Sequence, residues 1–154
     1  MIDSAGPDFV RLPMIDRDEL TSSLDWVSSN IAGDNAAYVE KATGRIVWIG
    51  EGADDADEVP DDIEERADFL FVPTKHDLNL GKVLVLDFAD QHMEPHADEV
   101  RRIFSIAGAY SRFKELLHRL ELTERWYDFE ADATNRALDD WASENGFTIG
   151  TRAT

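Results

Sequence analysis

Apolar positions recur every three or four residues along most of the chain and cluster into short β-branched runs in its middle, a contrast that predicts helices around a small sheet. Leu20, Leu24, Val27 and Ile31 share one helical face. Ahead of them Asp16 is placed to accept the first free backbone N–H groups, with Glu19 three residues on to complete a capping box and Ile15 to staple onto Leu20. Gly33 is the expected stop.

The next segment changes character. Tyr38 and Val39 run into a turn around Ala42, Thr43 and Gly44, and Ile46, Val47, Trp48 and Ile49 return from it. Glycine tolerates the positive φ that so short a loop demands, so the segment predicts a β-hairpin. The run DFLFV, closed by Pro73, predicts a short third strand able to pair with that hairpin. Between Asp77 and Met93 the signals compete. Val83 and Val85 favour a strand, whereas Leu80, Val83, Leu84, Asp87, Phe88 and Gln91 have helical spacing behind Asp77 as a cap; helix is the expectation.

From Pro95 onward the periodicity is helical throughout. Ala97, Val100, Ile103 and Phe104 form one stripe, Gly108 interrupts it, and Tyr110, Phe113, Leu116, Leu117 and Leu120 form the next. A final helix opens on Thr123 as its cap. It carries Trp126, Phe129, Ala133, Ala137, Leu138 and Trp141 to a stop at Asn145 and Gly146. The expected fold is one α+β domain over residues 16–150, behind a flexible leader at residues 1–15. It comprises an N-terminal helix, a hairpin with a third strand, and a C-terminal cluster of three or four helices.

Composition narrows the setting. A chain of 154 residues is the size of one ordinary domain and can bury a core without staples. With no cysteine there is neither disulfide nor thiolate metal site, which fits a cytoplasmic protein. The N-terminus lacks the apolar run of a signal peptide, and runs such as FLFV are too short to cross a bilayer, so no membrane role is expected. The formal charge of −18 repels nucleic acid and anionic membranes at long range. Much of it sits in an acidic loop at residues 51–65. A calcium loop there fails for want of the glycine that an EF-hand needs after Asp54.

The blocks AAYVEKATGRIVWI, FVPTKHDLNLGKVLVLDFADQ, GAYSRFKELLHRL, ERWYDFE and DDWASENGF, in that order, resemble the uncharacterised bacterial protein family (UPF) numbered 0158. The resemblance covers roughly Leu20 to Phe147, and its most specific parts are the Gly-Ala-aromatic, Arg-Phe-Lys and Trp-Tyr blocks. It implies a bacterial cytosolic α+β domain without an assigned activity, and it favours helix after the Pro-Thr-Lys block. The chain departs from the family pattern before Met14 and in the acidic loop.

Against the acidic background one segment is basic. Between Val100 and Arg125, Arg101, Arg102, Arg112, Lys114, Arg119 and Arg125 face only Glu115, Glu121 and Glu124. Arg112, Glu115 and Arg119 fall at i, i+3 and i+7, which suits a salt-bridged wet face. The sharper reading places Arg101, Arg102 and Arg112 around the helix start at Gly108, where they would hold a carboxylate or phosphate. A third reading has Arg101 and Arg102 clamp the acidic loop of the same or a neighbouring chain. Two helices joined by a glycine turn also have the outline of a helix-turn-helix, but duplex binding needs a far more basic face.

Trp26 lies off the Leu20 stripe and either marks a docking surface or packs on the hairpin. Of the histidines, His92 and His96 have helical metal-ligand spacing, but Pro95 interrupts it and the Glu of a zinc-protease helix is missing. No serine has a nucleophile's setting, and no phosphate loop is present. The function expected is that of a small non-enzymatic, cofactor-free interaction or regulatory protein, taking a protein partner or a second copy. Its anion- or partner-binding residues are Arg101, Arg102, Arg112, Lys114 and Arg119. Nucleic-acid or phosphometabolite binding by the basic segment 100–125 is the alternative.

Overall fold

Asp16 opens the first helix as its position predicts: its Oδ2 accepts the Glu19 N–H at 3.0 Å, starting α1 (Arg17–Ser29). Leu20 and Leu24 are fully buried and Val27 nearly so. Ser23 is buried among them without penalty because its hydroxyl donates to the Leu20 carbonyl at 2.7 Å. The computed structural model describes residues 12–29, 35–53 and 59–151, so Ile31 and Gly33 lie outside the described residues. Its fold is α+β, and the chain divides into two units: residues 1–74 with 139–154, and residues 75–138.

The first unit holds all the described strands. β2 (Ala36–Glu40) and β3 (Ile46–Ile49) form the hairpin in antiparallel register, with Tyr38 opposite Val47 and Val39 opposite Ile46. β4 (Phe69–Phe71) pairs with the other edge of β2, giving the order β3-β2-β4 and the expected third strand. Alternation assigns the faces. Ala37, Val39 and Ile46 are buried on one side. On the other, Val47, Ile63 and Phe69 form a second apolar cluster with Tyr38, Ile49 and Val59.

Gly44 has the positive φ, +80°, that the hairpin loop requires, and its position tolerates nothing larger. A Cβ there would sit 2.3 Å from the Met14 carbonyl oxygen. That strand, β1 (Met14–Asp16), was not expected: it pairs in parallel with β5 (Thr148–Gly150), and Ile15 is fully buried opposite Ile149. Met14 and Ile15 are therefore strand residues although the sequence assigns them to a leader; residues 1–11 of that leader lie outside the described residues. Three-residue strands show no periodicity, and each partner is at the far end of the chain. Of the acidic loop, residues 54–58 are likewise outside the described residues, and after Pro60 the chain makes a single 3₁₀ turn, Ile63–Glu65.

The second unit is helical. α2 (Lys82–His92) follows Gly81 rather than Asp77, because residues 75–79 turn back instead, with Asn79 at φ 58° and the Leu80 N–H on the Lys75 carbonyl at 2.8 Å. Its buried face is Leu84, Val85, Phe88 and Ala89; Val83, half of whose surface is open, points away from it. Pro95 ends this helix in a 3₁₀ turn, Glu94–His96, ahead of α3 (Ala97–Ile103), α4 (Ala109–Arg119) and α5 (Thr123–Glu144). The interior is built from rings set edge to face. Phe88 meets Trp126 at 5.3 Å and Phe129 at 5.2 Å, and Phe113 meets Trp126 at 5.2 Å. Each such pair adds about 0.5–1.5 kcal/mol beyond its buried area.

The division between the units falls within α5, whose last six residues belong to the first. There Gly146, at φ +83°, lets the Phe147 N–H reach back to the Ala142 carbonyl at 2.8 Å, the glycine stop that the sequence predicts. Among the described residues no helix is long and apolar enough to cross a membrane.

Candidate functional site

The basic segment folds as α3, a five-residue turn and α4. The turn is closed from inside: the Phe104 ring stands edge-on to Tyr110 at 5.0 Å and to Phe113 at 5.7 Å. Ser105 caps the end of α3 by donating its hydroxyl to the Arg102 carbonyl at 2.7 Å. Gly108 then takes φ +78°, a left-handed conformation that starts α4 in a new direction. This construction turns Ile106 outward with 62% of its surface open, and leaves Tyr110 48% open beside it in sequence. Burial of the rest of Tyr110 pushes its phenol above the ordinary tyrosine range, with Glu130 adding to the rise and Lys75 opposing it.

The five predicted cations divide into two groups. Arg101 is forked between two carboxylates, Nη2 on Asp90 Oδ1 at 2.7 Å and Nη1 on Asp98 Oδ1 at 3.2 Å, so it ties α3 to α2. Arg119 lies 3.8 Å from Glu99 on α3, not against Glu115 as its spacing suggests, and Glu99 also has His96 Nδ1 at 3.6 Å. Arg102, Arg112 and Lys114 are exposed and make no ion pair among the described residues. The Arg112 guanidinium folds back over the start of its helix: a Cβ on Gly108 would lie 3.6 Å from its Nη2. The arginine cradle expected around Gly108 thus retains Arg112, while Arg101 is committed to its two aspartates. Lys114 and Arg119, with Glu115 and His118, edge an open recess of about 460 Å³ along α4.

Trp26 is occupied within its own unit. Its indole N–H is shared between the carbonyls of Ala36 and Ile49, each at 3.1 Å, and its ring stands edge-on to Trp48 at 5.8 Å. Of its two sequence readings, the structure shows the one in which it packs on the hairpin. His92 lies beside the rings of Phe88 and Phe129, at 5.1 and 5.5 Å, on the helix that ends before His96. Among the described residues no three His, Asp or Glu side chains converge to hold a metal ion.

Ile106 and Tyr110 are the surface residues that periodicity missed. Ile106 belongs to neither stripe, and an isoleucine stranded between Ser105 and Gly108 is the signal that was available. Its spacing places Tyr110 on the apolar stripe of α4, whose buried members are Phe113, Leu116 and Leu117. No family model, curated protein or solved structure matches the chain.

Proposed function

We propose that the protein is a non-enzymatic interaction module of the cytoplasm and that the α3–α4 turn is its contact surface, taking an anionic protein segment that also carries an apolar residue. The observation behind this reading is the coexistence of Arg102, Arg112 and Lys114, which make no ion pair among the described residues, with exposed Ile106 and Tyr110 on the same short stretch. Three cations set together on a chain with 33 Asp and Glu form a local positive surface that draws an anionic partner. Arginine, tyrosine and a projecting apolar side chain are the residue types that concentrate binding energy when water is excluded from them. Nucleic-acid binding by the same surface is weakened as an alternative, since Arg101 and Arg119 already face carboxylates.

Affinity capture from cell lysate at two salt concentrations tests this. Wild-type protein should retain a protein partner at moderate salt, and both Arg102→Glu with Arg112→Glu and the single change Ile106→Asp should release it. Retention undiminished in both variants would remove the turn from the argument. Nucleic acid in the eluate, lost as salt rises, would reassign the surface to phosphate contacts.

A further inference from the structure

A second feature lies in the strand-built unit. The segment after Val59 covers the sheet face that carries Val47, and between this segment and the end of β3 is a recess of about 430 Å³. Trp48, Ile49, Val59 and Ile63 line it together with Asp61 and Glu64. The volume falls within the range of small-molecule sites, and Ile49, Val59 and Ile63 belong to the apolar cluster beneath.

The two carboxylates are exposed and make no ion pair among the described residues. The guanidinium nearest in sequence is committed elsewhere: Arg66 Nε and Nη2 both bind Asp68, at 2.9 and 2.6 Å. Glu64 is also felt inward, because it adds to the burial that raises the Tyr38 hydroxyl above its ordinary range. The recess therefore combines apolar walls with two carboxylates that pair with no cation among the described residues. The surrounding field reinforces this, as a chain at −18 concentrates cations near its surface.

We propose that this recess binds a small amphipathic amine, its hydrocarbon body on Ile49, Val59 and Ile63 and its ammonium group at Asp61 and Glu64. The protonated nitrogen supplies a countercharge that no described side chain gives these carboxylates, and the apolar body displaces water from the cluster's open edge.

Isothermal titration with 4-phenylbutylamine, and with the isosteric neutral 4-phenylbutanol and anionic 4-phenylbutyrate, tests the assignment. One amine should bind per chain, and neither isostere should bind in the same concentration range. Asp61→Asn with Glu64→Gln should weaken the amine about tenfold, as two exposed ion pairs of roughly threefold each. Glu124→Gln with Asp128→Asn, an equal loss of charge on α5, should leave binding unchanged. No amine binding, equal binding of the alcohol, or equal weakening by the α5 pair would overturn the proposal. The α5 result separates a site from the general attraction of cations to an acidic chain. Because the basic turn plays no part in this experiment, its outcome is independent of the interaction reading above.

Discussion

The two units of this chain differ in charge and in what holds them together. Residues 75–138 carry nine Lys and Arg against twelve Asp and Glu, whereas the rest of the chain carries six against 21. The helical unit makes its backbone hydrogen bonds locally and then stacks rings between helices, so its stability resides in side-chain volume. The strand-built unit depends on pairing between distant segments, and its critical positions are those that meet backbone: Gly44 under Met14, and Trp26 bonded to both strands at the open end of the hairpin. Among the described residues Arg102, Arg112 and Lys114 of the helical unit make no ion pair, and neither do Asp61 and Glu64 of the acidic one.

That contrast is open to test, beginning with the largest expected effect. Phe113 is fully buried and touches Phe104 and Trp126, so Phe113→Ala should cost about 3–5 kcal/mol through lost transfer energy and an unfilled cavity. Urea denaturation measures it, and a loss below about 1 kcal/mol would show that the rings do not carry the helical unit. Gly44→Ala adds only a methyl group, yet it meets the Met14 carbonyl in a strained φ; a loss of about 2 kcal/mol is expected in the same assay. A neutral result there would mean that β1 does not lie against the hairpin loop.

Trp26→Phe keeps a ring but removes the N–H shared by Ala36 and Ile49, at a cost of about 1–2 kcal/mol. An unchanged midpoint would assign Trp26 a purely apolar role, like the rings of the helical unit. The smallest effect is at Asp68, whose carboxyl the hydrogen bond from Arg66 holds below the ordinary aspartate range. A depressed pKa in the folded state makes the pair's contribution present above the ordinary aspartate value and lost as pH falls through the lowered one. In an NMR titration Asp68 should protonate below the ordinary aspartate range, and Arg66→Ala should return it to that range.

Legibility in the sequence followed the range of the interactions. The Asp16 cap, the Leu20–Leu24–Val27 face, the Gly44 turn and the Gly146 stop are each settled within a few residues, and each stands where the residues place it. The spacing on α2 puts Val83 on the stripe where the structure buries Val85, because Val83, Leu84 and Val85 are all apolar and only burial distinguishes them. At the candidate surface the sequence identified the basic stretch but not its division. Arg101 and Arg112 look alike in one dimension; Asp90, eleven residues before Arg101 on a neighbouring helix, distinguishes them.

The sequence alone therefore determined the order and type of the helices, the hairpin with its third strand, the acidic character and the place of the cationic stretch. These follow from local propensity, capping and charge count. Tertiary structure alone decided that the chain's two ends pair as β1 and β5, that Trp26 is bonded to the hairpin, and that Arg102, Arg112, Lys114 and Ile106 remain open while Arg101 is paired. Those outcomes depend on which distant residue arrives alongside, and a linear pattern carries no distances between its separate elements.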